Sequence, residues 1–108
     1  MSGKSAKVFQ AGIIDIGSHS VRLDIFEVAP GGEPALLESL SRPVNLGYDV
    51  FRKGTVSSEN ITLLSEVMCG FARKLSEYGA AARCRVVATS AMREAFNREL
   101  VINRVRND

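Results

Sequence analysis

The stretch AGIIDIGSHSVRLDIF, residues 11–26, restricts the fold more than any other part of the chain. Ala11–Ile16 is short, apolar and β-branched, the signature of a buried strand. It breaks at Gly17-Ser18-His19-Ser20, a tight polar turn. From Val21 the residues alternate: Val21, Leu23 and Ile25 face one way, and Arg22, Asp24 and Phe26 face the other. A period of two is that of a strand with one buried and one open face. Pro30-Gly31-Gly32-Glu33-Pro34 is a second turn signal, after which Ala35–Leu46 reads as a third strand ending near Gly47. The opening is therefore an antiparallel meander of three strands.

A helix follows. Ser57 is its expected N-cap, and Ile61, Leu64, Met68, Phe71 and Leu75 recur at steps of three and four to form one apolar face. Gly79 supplies the stop. Gly70 lies inside this helix at a cost of about 1 kcal/mol relative to alanine, for which a close approach to the sheet would account. Arg83–Ala88 reads as a fourth strand, Thr89-Ser90 as a turn, and Met92, Ala95, Phe96 and Leu100 as the apolar side of a second helix reaching about Val105. The order β-β-β-α-β-α implies an α/β layer with a mixed sheet. Right-handed crossover then sets the fourth strand parallel to one of the first three. Residues 1–10 are polar and read as a flexible N-terminus, leaving 11–108 as one domain.

Composition excludes several classes. Hydrophobic residues make up 45% of the 108 and charged residues 24%, so the chain should bury a core. No apolar run approaches the roughly 18 residues of a membrane span, and the start has no signal-like apolar stretch. Cys69 and Cys84 are too few for a disulfide scaffold or a zinc site, and read as reduced thiols of a cytoplasmic protein. A net charge of +2 is too small to mark a DNA or RNA binder, but it is unevenly spread. Residues 1–82 carry −1, whereas residues 83–108 hold six arginines against three acids.

Two loops have the chemistry of a phosphate site. In the first, Asp15 ends a strand, Gly17 lets the backbone turn, and Ser18 and Ser20 add hydroxyl donors to backbone N–H groups that converge in such a turn. Asp15 would hold a divalent cation or orient a water beside the phosphate. In the second, Thr89–Asn97 places a helix N-terminus after a strand, a favourable end for an anion. Ser90, Arg93 and Asn97 share one stripe of that helix, opposite Met92 and Phe96. Arginine's fork suits phosphate oxygens.

The pair IIDIGSHSVRLDIFE and VVATSAMREAFN, with LGYDVFRKGTVSSENI between them, resembles the exopolyphosphatase / guanosine pentaphosphate phosphohydrolase family, the Ppx/GppA phosphatases. These belong to the actin-like superfamily that also holds sugar kinases and Hsp70. The resemblance covers about residues 11–106, and Ala88–Asn97 is its most family-specific part. It implies a ribonuclease H-like, actin-like lobe, truncated before its fifth strand. It makes Gly17, Ser18, His19 and Ser20 the first phosphate loop, with Ser90 and Arg93 reaching the same phosphate and Arg22 and Asn97 as further candidates. Asp15 becomes the acidic group associated with magnesium or the attacking water. His19 stands where members usually read asparagine, and Asp24 where they are typically apolar; Asp24 is expected to pair with Arg22.

The resemblance also implies a catalytic glutamate downstream and a second lobe, neither present in this chain. The expectation is a cytoplasmic, N-terminal fragment of a phosphohydrolase acting on inorganic polyphosphate or guanosine pentaphosphate, inactive alone and prone to self-association, with a homodimer as one form. An alarmone- or polyphosphate-binding regulator and a sugar- or acetate-kinase-like phosphotransferase are the alternatives. Ser41, assigned to the third strand away from both loops, is expected to be inert toward anions.

Overall fold

The computed structural model describes residues 7–88. Four strands form one sheet: β1 (Phe9–Ile16), β2 (Ser20–Val28), β3 (Ala35–Pro43) and β4 (Cys84–Ala88). Their order is β3-β2-β1-β4. β1 and β2 pair antiparallel, as do β2 and β3, while β4 runs parallel to β1. Two helices, α1 (Leu46–Lys53) and α2 (Ser58–Glu77), lie between β3 and β4. This is the expected mixed sheet, with the fourth strand parallel to the first. Ser90, Arg93, Asn97 and the second helix expected around them lie outside the described residues, as do residues 1–6.

The alternation of β2 divides the molecule. Val21, Leu23 and Ile25 are fully buried, and with Ile14 and Ile16 of β1 they meet Ile61, Leu64, Phe71 and Leu75 of α2 in one core. Met68 packs at its margin. Ser57 caps α2 by accepting the N–H of Asn60 at 3.2 Å. At the other end Gly79 takes φ +73°, its N–H reaching the Ser76 carbonyl at 3.0 Å and that of Ala80 reaching Leu75 at 2.8 Å. This double closure satisfies the last helical carbonyls. Tyr78, the C-cap residue, donates its hydroxyl to Glu38 Oε1 at 2.5 Å, which ties the helix end to β3 and pushes the phenol pKa up.

Several boundaries differ from the sequence reading. β1 begins at Phe9, because Phe9 and Gln10 still find partners in Val28 and Glu27. Arg83 closes a short 3-10 turn, Ala81–Arg83, and lies over the Phe9 ring at 4.7 Å. The largest correction is at residues 44–53. The third strand stops at Pro43, and Asn45 caps a further helix, accepting the Tyr48 N–H at 3.2 Å. The close approach ascribed to Gly70 is also absent: a Cβ there would meet nothing within 4 Å. The glycine that lies close under α2 is Gly12 of β1, where a Cβ would collide with the Leu75 side chain and oblige it to shift.

Candidate functional site

The face of the sheet away from α2 carries polar side chains in register. Arg22 pairs with Asp15 on one side and with Ser41 on the other, and Asp15 pairs with Val87. Residues opposite one another in paired strands project from the same face. The row Ser41–Arg22–Asp15–Val87 therefore crosses all four strands at the end where the 17–20 turn lies. Asp15, Gly17, Ser20, Arg22 and Ser41 line an open depression of about 210 Å³ there. The structure thus brings together four of the expected residues and adds Ser41, which was expected to be inert. Its signal lay in the β2–β3 register, which composition and local pattern do not supply.

Arg22 is exposed and stands 3.9 Å from Asp24, so the expected pair forms at the limit of an ion contact. Asp24 also accepts the Ser39 hydroxyl at 2.5 Å. This second partner holds the Asp24 carboxylate on β3 and leaves most of the guanidinium facing solvent.

The turn itself is fastened from behind. Ser20 O accepts the Gly17 N–H at 2.8 Å, Ser18 O accepts the Gly47 N–H at 2.8 Å, and His19 O accepts the Val44 N–H at 3.1 Å. His19 Nδ1 lies 3.3 Å from Asn45 Oδ1. In a planar trans peptide, the N–H after a carbonyl points opposite to it. Holding the Ser18 and His19 carbonyls toward residues 44–47 therefore turns the His19 and Ser20 N–H groups away from α1. Gly47 permits this approach: a Cβ there would lie 3.0 Å from Ser18 Cβ and 3.3 Å from its carbonyl oxygen. Ser18 and His19, expected in the phosphate loop, do not line the depression; they anchor the loop to α1. Asn45 and Gly47 are the residues that sequence reasoning missed here. An asparagine before an apolar residue is an N-cap signal, but it was masked by reading the strand through Leu46.

α1 is anchored in turn. Asp49 accepts the Ser57 N–H at 2.8 Å and Asn60 Nδ2 at 2.9 Å, while Asn60 Nδ2 lies 3.3 Å from the Asn45 carbonyl. Burial opposes the Asp49 charge, but the hydrogen bonds from Ser57 and Asn60, with Lys53 nearby, outweigh it and hold the carboxyl below its ordinary value. A chain of contacts thus runs from the α2 N-cap through α1 to the turn.

The model of the Ppx/GppA phosphatase family matches residues 25–108. The chain belongs to that family. Exopolyphosphatase 1 of Mycobacterium tuberculosis is 30% identical over 97 residues, covering 90% of this chain and 28% of that protein. Exopolyphosphatase 2 of the same organism is 36% identical over 90 residues, covering 81% of this chain and 28% of that protein. The crystal structure of the Aquifex aeolicus Ppx/GppA family member superposes with a TM-score of 0.87 at 29% identity, over 94% of this chain and 33% of that one. This Ppx/GppA chain accordingly spans under a third of the length of those relatives. Its sheet, with the meander, the crossover helix and the parallel fourth strand, matches the N-terminal lobe of its Ppx/GppA structural neighbours.

Among the described residues of this Ppx/GppA chain, no three His, Cys, Asp or Glu side chains cluster as a metal cage. Among the described residues, Asp15 is the one carboxylate lining the depression. No described helix is long and apolar enough to cross a membrane.

Proposed function

We propose that this chain supplies the phosphate-gripping side of a phosphohydrolase that removes the terminal phosphate of inorganic polyphosphate, the substrate class carried by the names of its mycobacterial relatives. The observation that supports this most is the row Ser41–Arg22–Asp15 beside a turn whose carbonyls are fastened elsewhere. The Ser20 hydroxyl, the Ser20 N–H and Arg22 would contact equatorial phosphate oxygens, which carry the charge in phosphoryl transfer. Ser90 and Arg93 would reach the same phosphate, with Asn97 beyond them. Asp15, an anion beside an anion, contributes by orienting the attacking water or by sharing a cation with the phosphate.

Magnesium fits this donor set in one mode. A single carboxylate with neighbouring hydroxyls leaves most positions to water and phosphate oxygens, the usual arrangement for this ion. Asp15 would hold it, with Ser20 and Ser41 nearby, and when bound it would neutralise phosphate charge. Guanosine pentaphosphate presents the same terminal group and is the second substrate. The expected setting is reducing and cytoplasmic, with Cys69 and Cys84 as thiols; burial pushes the Cys84 thiol up. A depression with Asp15 as its one carboxylate among the described residues also suits a regulator that binds polyphosphate or an alarmone without cleaving it.

Titrating the chain with pyrophosphate and following amide signals tests the site. Gly17, Ser18, Ser20, Arg22, Ser90 and Arg93 should move together, and Arg93→Ala should weaken binding by about 1.5–3 kcal/mol. Movement confined to Arg104 and Arg106 would overturn the proposal. A longer chain that includes the second lobe should release phosphate from polyphosphate, whereas residues 1–108 should not; a longer chain that binds without turnover selects the regulator.

A further inference from the structure

Among the described residues β3 is one of the two outer strands of the sheet, and its pairing shows which of its backbone groups are turned outward. The Val44 N–H donates to the His19 carbonyl, so His19 and Val44 are a hydrogen-bonded pair of the antiparallel ladder. Such pairs alternate along two strands. Val21–Arg42, Leu23–Leu40 and Ile25–Glu38 are therefore hydrogen-bonded too, and the N–H and C=O of Ser39 and Ser41 point away from β2. One of these outward groups is accounted for: Ser41 O accepts Nη1 of Arg42 at 3.0 Å, a side chain standing where a strand would donate. A register shift between Ile25 and Phe26, opposite Leu36–Glu38, and the N–H-less Pro43 confine the usable edge to Glu38–Arg42.

Five residues admit few registers with a second copy. An isologous contact pairs a segment with itself, antiparallel, about a two-fold axis. Placing Leu40 opposite Leu40 of the second copy sets Ser39 against Ser41, so the outward groups exchange both hydrogen bonds on each side of the axis. The same register sets Glu38 against Arg42 in the non-hydrogen-bonded positions, where side chains come closest. Sliding by two residues sets Leu40 against Glu38 or against Arg42 and leaves these charges without an opposite partner; sliding by four sets Glu38 against Glu38 or Arg42 against Arg42. Only the Leu40–Leu40 register forms the Glu38–Arg42 pair on both sides of the axis, so charge favours it.

Glu38 is ready for a cation. It accepts Tyr78 and lies 3.8 Å from Lys74, which is also 3.6 Å from Glu77; two carboxylates share one ammonium there. Next to Leu40 and Arg42, on the α2 side, is a groove of about 260 Å³ lined by Leu63, Val67, Gly70 and Phe71. Gly70 leaves it open, since no atom lies within 4 Å of where its Cβ would be. A side chain from an added strand would have room there.

We propose that Glu38–Arg42 of β3 pairs with the same segment of a second copy, giving a two-fold dimer with one continuous eight-stranded sheet. In it Arg42 exchanges its own chain's Ser41 carbonyl for the second copy's Glu38. This contact uses the opposite edge of the sheet from β4, and it shares only Ser41 with the phosphate depression, through that residue's outward backbone groups.

Sedimentation velocity over a concentration series, with hydrogen exchange on the same samples, tests the dimer. The chain should dimerise, and amide protection at Ser39 and Ser41 should rise with concentration while that of Cys84–Ala88 stays constant. Arg42→Glu should weaken association by about tenfold or more without lowering the melting temperature. The double variant Glu38→Arg with Arg42→Glu should recover association by exchanging the two charges. Should Glu38→Arg disturb Tyr78 and the fold, Ser41→Pro offers an independent test, because it removes an outward N–H and keeps the β2 ladder. A monomer at every concentration, unchanged association in Arg42→Glu or Ser41→Pro, or protection appearing at Cys84–Ala88 instead would overturn the proposal.

Discussion

The two faces of β1 and β2 are built from alternate residues of the same strands, and they differ in nearly everything else. One face carries Ile14, Val21, Leu23 and Ile25, closed over by α2 and excluded from water. The other carries Ile13, Asp15, Arg22 and Asp24, with Ile13 still 43% exposed. Because the period is two, a single strand divides its work without compromise: odd positions of β2 hold the fold together, and even positions are left for chemistry. The consequence is a near-separation of stability from ligand binding, which substitutions on each face can break or measure.

The largest effect should come from the closed face. Leu23 has no exposed surface. Leu23→Ala should cost about 2–5 kcal/mol of unfolding free energy in a denaturant titration, through lost burial and the cavity left behind. Pyrophosphate affinity of the molecules still folded should be unchanged; a parallel loss of affinity would show that the faces are coupled.

Asp49 belongs to neither face and tests the anchor behind the turn. Asp49→Asn should cost about 1 kcal/mol, since the carboxylate accepts from Ser57 and Asn60 in a partly exposed setting. Its folded pKa is lowered, so its contribution is complete above the unfolded value and disappears as pH falls through the folded one. The stability gap between wild type and Asp49→Asn should therefore be constant near neutrality and close in acid. A gap that widens on acidification would refute the assignment.

Gly47→Ala should act on the open face while sparing the core. The added Cβ would press on Ser18 and move the turn away from α1, so pyrophosphate-induced shifts at Gly17 and Ser20 should weaken more than the melting temperature falls. The smallest effects are expected on the open face itself. Arg22→Ala should change stability by no more than about 0.5 kcal/mol, as for an exposed pair, while lowering pyrophosphate affinity. Ser41→Ala should lower that affinity slightly, where the strand pattern alone would assign it no effect.

The hairpin, the α2 helix with its Ser57 cap, and the parallel β4 were legible in the sequence because each repeats its period over several residues. α1 was not, for a physical reason: in eight residues it buries only Leu46, too short a stripe to compete with the preceding strand pattern. The site was half legible. Asp15, Gly17, Ser20 and Arg22 follow from one local motif, whereas Ser41, Asn45 and Gly47 reach the site from sequence-distant segments through register and tertiary contact. Gly12 and Gly70 teach the same lesson. A glycine in a helix draws attention by its propensity cost, yet the one whose Cβ would collide sits in a strand, where only the position of Leu75 reveals it.

The pairing of β1 with β4 has a further consequence for how the chain is made. Its partners, such as Gly12 and Cys84, lie about 70 residues apart, while β1, β2 and β3 are neighbours in the chain. As synthesis proceeds from the N-terminus, the three-stranded meander can assemble while α2 and β4 are still unmade. During that interval the inner strand of the finished sheet is a bare edge, and Ile14 and Leu23 have no lid. A pause that leaves residues 9–43 outside the ribosome while residues 58–88 have yet to emerge would prolong this exposed state, in which the nascent protein is most open to chaperones and to other unfinished copies of itself.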